Sequence, residues 1–452
     1  MLELGKKYRC KIVDIGESGV GIGKHNDFTV FVDSALLGEV VDVKITKSKK
    51  KYAQGVISKI IEESPYRVER TCNMKYRNCG GCQIQELDYN KQLEYKTNLV
   101  KEDLRRIAGI DDIEVMDTIG MDHPFRYRNK AQFPIKMVDG ELKIGFYKKK
   151  SHDIIDIDSC VIQDEINDKI IKILRKYIID NNISVYDEKT GRGNLRHLVT
   201  KTGFHTREVM VVLVTKSSNL KNIESLVEEL KKEVEGFKTL VLNINDKKTN
   251  VILGRENITI YGSGKIIDKI DNLKFEISPL SFFQVNPIQT EVLYNKALEF
   301  ADIKNDEIVY DIYCGIGTIS LFLSQNAKKV YGIEIVEDAI KDAKLNASLN
   351  GINNVEFYVG KAEEVFVKLY SQGKKADVVV VDPPRKGCDE VVLKTIVEMN
   401  PNRLVYVSCN PASLCRDIKY MVENGYKLEK VQPVDLFPHS VHVETVALLS
   451  KQ

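Results

Sequence analysis

Four polar side chains stand where apolar stretches of this chain end, and their types could do chemistry together. The apolar runs read EIVYD, KKVYGIE, DVVVVD and RLVYVSC, and the polar residues are Asp311, Glu334, Asp382 and Cys409. Buried parallel strands are short continuous apolar runs, and the ligands of open α/β sheets bind at the carboxyl ends of such strands. The pattern predicts one shared crevice that holds a thiol and several carboxylates.

A glycine-rich turn follows the first of these strands. It spans 313–318 and reads YCGIGT, and a helical pattern and the strand that ends in Glu334 come next. Glycines at a helix start let the backbone approach a ligand, and an acid at the next strand end can accept hydrogen bonds from ribose hydroxyls. The rival cofactor is NAD, but the third glycine of the dinucleotide fingerprint is missing. We therefore predict S-adenosylmethionine, with Gly315, Gly317 and Glu334 in its site.

A thiol, a methyl donor and a carboxylate in one crevice suit the methylation of carbon 5 of uracil. That carbon is a poor nucleophile in the aromatic ring, and covalent attachment divides the difficult reaction into easier steps. We predict that the thiolate of Cys409 adds to carbon 6 and that a base later removes the proton of carbon 5. Glu444, at the start of the last predicted strand, is the candidate base, with His442 as second choice. Asp382 would hydrogen-bond the uracil ring or the cofactor.

Two other functions stay open at this point. A cytosine-5 RNA methyltransferase would carry its nucleophile after Thr or Pro and would use two cysteines, whereas this chain reads SCNP at 408–411. A non-catalytic RNA-binding protein would keep the same strands without methyl transfer. Trapping on RNA that contains 5-fluorouracil distinguishes the uracil enzyme from the binding protein.

Another group of cysteines has the spacing of a metal site. Cys72, Cys79 and Cys82 lie close together in the chain, with two glycines between the last two, and Cys160 follows farther on. Zinc and iron–sulfur clusters both take four cysteine ligands, so the spacing leaves both open.

The secondary-structure patterns along the chain predict three domains that position these groups. Residues 1–62 alternate apolar and polar in short runs, which indicates a small antiparallel, OB-like β-barrel that binds RNA. Residues 63–270 mix helical and strand patterns around the four cysteines, and 271–452 alternate strand and helix as a Rossmann-like methyltransferase domain does. The fold class is therefore α/β with an N-terminal barrel.

Basic residues are concentrated in two stretches. Residues 1–60 hold eleven Lys or Arg against seven Asp or Glu, and 121–150 hold eight against three, while the whole chain is only +2. In the second stretch, arginines and aromatic rings alternate before a hairpin predicted at Asp139 and Gly140; they are Phe125, Arg126, Tyr127, Arg128, Lys130 and Phe133. Such a run can hold phosphates and stack unpaired bases, although an exposed strand gives the same pattern.

Composition places the chain in the ordinary globular class. It has 452 residues, 43% of them hydrophobic and 29% charged, and no stretch approaches the roughly 18 apolar residues of a membrane span. Nine cysteines fit a reducing compartment better than a disulfide framework. We expect a cytoplasmic protein without a membrane or an obligate protein partner.

Taken together, these motifs resemble the RNA uracil-5 methyltransferases, and most of all the ribosomal RNA members that carry a TRAM domain and a four-iron four-sulfur cluster. The resemblance extends over nearly the whole chain. The most specific pieces are SFFQVN at 281–286, DIYCGIGT at 311–318, DPPRKG at 382–387, SCNP at 408–411 and DLFPHSVHVET at 435–445.

The resemblance implies more than the residues alone do. It implies that Gln284, Tyr313, Glu334 and Asp382 contact S-adenosylmethionine, and it adds Thr318, where many members have Asn. It implies that the four cysteines hold a [4Fe-4S] cluster rather than zinc, and that a helix around 90–118 packs on the C-terminal domain. We expect ribosomal RNA of the 23S type as the substrate, with transfer RNA as the alternative.

Overall fold

The computed structural model describes residues 1–16, 18–72, 79–149 and 151–452. The chain begins with a closed barrel of five strands, which are β1 (Lys7–Ile15), β2 (Gly21–His25), β3 (Phe28–Asp33), β4 (Val40–Ser48) and β5 (Tyr52–Glu62). Their order around the barrel is β1-β2-β3-β5-β4. Alternate apolar side chains fill it, and Ile12, Val30 and Val43 are fully buried there.

The sequence predicted an antiparallel barrel, and this prediction is wrong for one pair of strands. β3 and β5 pair in parallel, whereas the other neighbours in the barrel are antiparallel. Directions cannot alternate all the way around a ring of five strands because five is odd. One parallel pair is therefore the geometric requirement for closure.

Helix α1 (Tyr89–Asp103) connects the barrel to the rest of the protein. The carboxylate of Asp88 caps it by accepting hydrogen bonds from the backbone N–H groups of Asn90 and Lys91. A π-helical turn (Leu104–Ala108) extends the helix, and Gly109, with φ of 72°, ends it well before residue 118. Val100 and Leu104 are buried against the C-terminal domain.

The central part is a mixed seven-stranded sheet with two helices. Its strands run in the order β12-β11-β10-β9-β6-β7-β8. They are β6 (Lys130–Val138), β7 (Glu141–Tyr147), β8 (Ile154–Asp156), β9 (Leu195–Thr202), β10 (Val209–Thr215), β11 (Phe237–Ile244) and β12 (Glu256–Tyr261), with helices α2 (Ile166–Asp180) and α3 (Ile223–Glu233). The predicted hairpin at Asp139 and Gly140 is confirmed: both have positive φ, 51° and 83°, as a type I′ turn requires.

The run of arginines and aromatic rings before this hairpin does not form a stacking surface. Tyr127 and Phe133 are only 2% and 0% exposed, and a guanidinium N–H of Arg126 donates to the carbonyl of Cys160 at 2.8 Å. Tyr127 lies before β6 in a small apolar cluster, whereas Phe133 lies on β6 in the core of the central sheet. The base-stacking interpretation is therefore wrong for Tyr127 and Phe133, and Phe125 remains the exposed ring.

The C-terminal part is an α/β domain with a seven-stranded sheet, preceded by a short hairpin of β13 (Ile266–Ile270) and β14 (Leu273–Ile277). The sheet strands are β15 (Ile308–Ile312), β16 (Lys329–Glu334), β17 (Val355–Val359), β18 (Val378–Val381), β19 (Arg403–Ser408), β20 (Tyr426–Val434) and β21 (Glu444–Lys451). The helices are α4 (Pro287–Ala301), α5 (Thr318–Ser324), α6 (Glu337–Leu349), α7 (Ala362–Ser371), α8 (Glu390–Met399) and α9 (Pro411–Glu423).

The order of this sheet is β17-β16-β15-β18-β19-β21-β20; six strands run in one direction, and β21, between β19 and β20, runs in the opposite direction. Alternate side chains of each strand face two separate apolar layers, so Val309 and Tyr310 lie in different clusters. The chain reverses its direction of winding between β15 and β18, and ligands bind at such a switch point. In the part of the chain described, no helix is long and apolar enough to cross a membrane.

Candidate active site

Cys409 and Glu444 come together at one end of two neighbouring strands. Cys409 directly follows β19, Glu444 opens β21, and the antiparallel register pairs Ser408 with Thr445. Cys409 and Glu444 are the next two residues at that end, beyond the last pair of the ladder. Burial, followed by the nearby carboxyl of Glu444, raises the pKa of the Cys409 thiol to about 11.

The turn after β19 holds Cys409 firmly in place. Asn410 caps α9 by accepting hydrogen bonds from the N–H groups of Ala412 and Ser413, and its own N–H donates to the Ser408 hydroxyl at 3.1 Å. The Asn410 side-chain amide also donates to the carbonyl of Arg385 at 3.2 Å. The SCNP motif is therefore a strand end and a helix start that enclose the thiol.

Carboxyl groups crowd the same crevice. Glu444 is 3% exposed, and burial, then Asp382, raises its pKa to about 8. Asp382 directly follows β18, and burial, then Asp311, raises its pKa to about 7. Neighbouring carboxylates oppose each other's ionisation in a buried site. A bound cation would reverse this effect, so the crevice is suited to a positively charged ligand.

Buried Glu444 should make stability depend on pH. Its pKa is raised, so its stabilising contribution is complete below pH about 4.5, where both states are protonated, and is lost as the pH rises to about 8. We expect Glu444→Gln to match the cofactor-free wild type near pH 5 and to be on the order of 3 kcal/mol more stable at pH 9. Urea unfolding at pH 5, 7 and 9 measures this difference.

Glu429→Gln on β20 is the matched control for that experiment. The Ser450 hydroxyl and Lys427 lower the pKa of Glu429, so its substitution should give no gain in stability as the pH rises. A gain at high pH that is equal in the two variants would contradict the assignment of the effect to burial of Glu444.

The turn between β15 and α5 leaves space for a ligand. Tyr313 has φ of 72°, and its N–H and that of Cys314 both donate to the Ile333 carbonyl, at 2.9 and 3.0 Å. A side chain at Gly315 would meet no atom within 4 Å, whereas a Cβ at Gly317 would lie 2.9 Å from the Phe357 ring. Gly317 is thus needed for packing, and Gly315 faces open space.

Glu334 lies over this turn at the end of β16. Its carboxylate accepts hydrogen bonds from the N–H groups of Gly315 at 3.2 Å and Val336 at 2.8 Å. Ile335 and Val336 beside it are 59% and 53% exposed. A carboxylate next to exposed apolar side chains is the surface that a nucleoside needs for its ribose and base.

Asp311, under the same turn, has an unused oxygen. Its Oδ2 accepts a hydrogen bond from the Ser320 hydroxyl, while Oδ1 is buried and has no hydrogen-bond partner among the described residues. Burial raises the pKa of Asp311 to about 7. A buried polar atom without a partner beside an open glycine indicates room for a polar ligand group.

Gln284 lies in the loop before α4, and the central sheet anchors this loop. The Lys201 ammonium donates to the carbonyls of Ser278 and Ser281 at 2.7 and 2.8 Å, and the Asn129 side chain donates to the Gln284 carbonyl at 3.0 Å. The Gln284 side chain is half-buried. Its loop therefore belongs to both the central and the C-terminal parts.

Tyr294 on α4 is a site residue that the sequence did not reveal. Its hydroxyl is 3.1 Å from the Thr318 hydroxyl, and burial, then the carboxyls of Asp382, Asp311 and Glu444, raises its pKa. Tyr294 thus contacts Thr318 at the end of the glycine-rich turn 313–318, which we call the cofactor turn, and lies near these three carboxyls. An aromatic residue at an apolar helix position looks like ordinary core in a sequence, so no signal singles it out.

The predicted metal site is only partly assembled in the described residues. Burial, then Cys160, raises the pKa of the Cys82 thiol to about 12, and Cys79 and Cys72 also contribute, so the four thiols lie in one region. Yet no group of three or more His, Cys, Asp or Glu in the described ranges is close enough to hold a metal ion. Residues 73–78, between the first two cysteines, lie outside those ranges.

The comparisons with known proteins identify the chain. A family model described as tRNA (Uracil-5-)-methyltransferase matches residues 88–452, and a TRAM domain model matches 2–57. An uncharacterized RNA methyltransferase of Clostridium tetani is 54% identical over 98% of this chain and 96% of its own. An uncharacterized RNA methyltransferase of Caldanaerobacter subterraneus subsp. tengcongensis is 48% identical over 100% of this chain and 99% of its own.

A solved structure agrees with this result. The tRNA (uracil-54, C5)-methyltransferase of Pyrococcus abyssi, in complex with S-adenosyl-L-homocysteine, is 31% identical, covers 98% of this chain and 100% of its own, and has a TM-score of 0.79. The protein is an RNA methyltransferase with an N-terminal TRAM domain. It belongs to the tRNA (uracil-5-)-methyltransferase family, so the resemblance found in the sequence is confirmed.

Proposed function

We propose that this protein transfers a methyl group from S-adenosylmethionine to carbon 5 of a uridine in RNA, through a covalent bond to Cys409. The observation that carries the proposal is the adjacency of Cys409 and Glu444 at the end of β19 and β21. A nucleophile and a base on one side of a ring are what addition and elimination at neighbouring carbons require.

The groups that would hold the cofactor are Gly315, Gly317, Glu334, Asp382 and Gln284, together with Tyr313 and Thr318. When bound, S-adenosylmethionine supplies an electrophilic methyl group on a positively charged sulfur. Burial and neighbouring carboxyls raise the pKa of Asp382 and Asp311, so a cation bound in the crevice would stabilise their charged forms. The S-adenosyl-L-homocysteine bound to the Pyrococcus abyssi protein supports this choice.

The residues of this chain act in two steps. The Cys409 thiolate forms a bond to carbon 6 of uracil, which moves electron density onto carbon 5 and makes it the nucleophile for methyl transfer. Glu444 then takes the proton from carbon 5; the carbon 5–carbon 6 double bond re-forms, the carbon 6–sulfur bond breaks, and the thiolate is released. Because the pKa of Glu444 is raised to about 8, it is a stronger base than an ordinary carboxylate.

Arg385 helps to form the thiolate. Its positive charge opposes the rise in the pKa of both Cys409 and Glu444. His442 remains the alternative base, but partial desolvation, then the Arg385 charge, lowers its pKa, although the residue still faces solvent. A weak, exposed base is less suited to a proton on a covalently held ring than buried Glu444 is.

We keep ribosomal RNA of the 23S type as the proposed substrate. Transfer RNA is the second candidate because the Pyrococcus abyssi protein is a tRNA (uracil-54, C5)-methyltransferase. Mapping 5-methyluridine in the RNA of cells with and without this protein tests both. Loss of one site in ribosomal RNA supports the proposal, loss in transfer RNA supports the second candidate, and unchanged RNA contradicts the function.

We also propose that Cys72, Cys79, Cys82 and Cys160 hold a [4Fe-4S] cluster. Backbone N–H groups oppose the rise in the pKa of two of the thiols: that of Gly81 acts on Cys79, and those of Ile162 and Gln163 act on Cys160. Backbone N–H groups near cysteine sulfur also tune iron–sulfur clusters. The methyl transfer needs no electron, so the group would support structure and RNA docking.

Anaerobic purification tests the cluster. The wild-type protein should be brown and should contain about four iron atoms per chain, as thiolate-to-iron charge transfer and a four-iron cluster require. Cys82→Ser should lose most of the colour and iron, whereas Cys10→Ser in the barrel should keep both. Colourless wild-type protein with one zinc per chain would contradict the proposal.

A further inference from the structure

The chain between β20 and β21 leads directly to Glu444 and is held unusually tightly. We call residues 435–443 the strap. His439 in the strap has φ of 67°, the left-handed region that a residue with a side chain rarely adopts. Such a conformation persists only where surrounding contacts fix it, and it is found most often at functional sites.

Helix α1 provides the strongest of these contacts. The Lys96 ammonium donates to Oδ1 of Asp435, at the start of the strap, and to the Phe437 carbonyl at 3.1 Å. The Tyr89 hydroxyl donates to Oδ2 of Asp435 at 2.8 Å. Both oxygens of one buried carboxylate are thus used by a helix more than 330 residues earlier in the chain.

The middle of the strap is held from three sides. The side-chain amide oxygen of Gln92 on α1 accepts a hydrogen bond from the His439 N–H at 3.0 Å, and the Ile84 N–H donates to the His439 backbone carbonyl at 3.1 Å. The Tyr127 hydroxyl donates to the Pro438 carbonyl at 3.1 Å. The strap therefore has one backbone path into Glu444, determined by side chains outside the methyltransferase sheet.

The buried ion pair between Lys96 and Asp435, at the start of the strap, is not explained by stability alone. The side chains of Lys96 and Asp435 are both 0% exposed. Burying two charges costs hydration that their attraction barely offsets, and a well-packed apolar pair would serve stability as well or better. What a charge pair with fixed hydrogen bonds adds is one defined geometry.

We propose that Lys96 and Asp435 are positioning residues for the proton-removal step, holding the strap so that the Glu444 carboxylate faces carbon 5 of the bound uracil. The proposal rests on the function proposed above, in which Glu444 is the base. Cys409 directly follows β19, outside the strap, in a turn held by hydrogen bonds between Ser408 and Asn410. Loss of the pair should therefore impair removal of the proton and leave addition of the thiolate intact.

A double variant tests this without leaving a lone buried charge. In Lys96→Met/Asp435→Asn, the methionine keeps the length of the lysine stem and the asparagine oxygen still accepts from Tyr89. The probes are unmodified ribosomal RNA and transfer RNA transcripts with S-adenosylmethionine, and the same transcripts with 5-fluorouridine. The control is Arg403→Met/Glu307→Gln, a partly buried pair at the opposite end of β19.

The double variant should turn over about 10²-fold more slowly on unmodified RNA, the cost expected of a misplaced catalytic group. It should also accumulate the protein–RNA covalent complex, and trap 5-fluorouridine RNA at the wild-type rate within about twofold. The control should turn over normally. Equal losses in trapping and turnover would mean a purely structural role and overturn the proposal, as would wild-type turnover. The milder Tyr89→Phe should show a smaller accumulation of the same complex.

The Glu444→Gln variant distinguishes an error in the positioning role of Lys96 and Asp435 from an error in the choice of Glu444 as the base. If it accumulates the covalent complex and the double variant does not, only the role of Lys96 and Asp435 is wrong. If Glu444→Gln itself accumulates no complex while wild-type protein methylates the RNA, the base assignment is wrong and the positioning role falls with it.

Discussion

Replacing Cys409 with Ala should abolish methyl transfer to RNA, a loss of about 10⁴-fold or more, because carbon 5 of uracil stays unreactive without the thiolate. The measurement is transfer of a radioactive methyl group from S-adenosylmethionine to unmodified RNA. Cys415→Ala on α9 is the matched control: Cys415 is fully buried in an apolar cluster and should be dispensable for the chemistry.

Binding of the cofactor should survive the Cys409→Ala change, because the groups that would hold it lie at the ends of β15, β16 and β18 and in the loop before α4. Calorimetric titration with S-adenosylhomocysteine checks this separately. Measurable transfer by Cys409→Ala with unchanged kcat would show that another group, or no covalent step, carries the reaction.

The second large effect is expected for Glu444→Gln. Gln cannot take the proton of carbon 5, so turnover should fall by about 10²- to 10⁴-fold while the bond between Cys409 and carbon 6 still forms. The covalent complex with unmodified RNA, which is transient in the wild type, should then persist. Denaturing gels with labelled RNA detect it directly.

His442→Ala distinguishes the two candidate bases. If Glu444 is the base, His442→Ala should turn over without a persistent covalent complex, since His442 faces solvent and its pKa is lowered by partial desolvation and by the Arg385 charge. A persistent complex in His442→Ala, together with normal turnover by Glu444→Gln, would show that His442 and not Glu444 is the base.

The strand ends were predictable because the sequence marks them clearly. Continuous apolar runs predicted β15, β16, β18 and β19, and the structure has each of them within two residues of the polar side chain that the sequence singled out. The connection PHSVH between two apolar stretches predicted that Glu444 returns to the same end of the sheet as Cys409, and the β19–β21 register has this arrangement. Local pattern was sufficient because each signal lies within about ten residues.

The rest depends on contacts between distant parts of the chain. Alternating apolar and basic residues at Tyr127 and Phe133 fit an exposed strand and a core strand equally, and only the packing of the central sheet decides between them. The pairing of Lys96 with Asp435 spans 339 residues, and nothing near either residue announces it. Tyr294 reaches the carboxyls only because α4 packs beside the cofactor turn.

The most direct test of the central claim is the mass of the protein after incubation with S-adenosylmethionine and RNA that contains 5-fluorouridine. With fluorine at carbon 5 there is no proton for the base to remove, so the reaction should stop at the covalent, methylated complex. We predict a single adduct, and its mass should show that it contains one protein, one RNA and one transferred methyl group. The modified peptide should contain Cys409. An adduct on another cysteine, or complete methyl transfer without any adduct, would contradict the account.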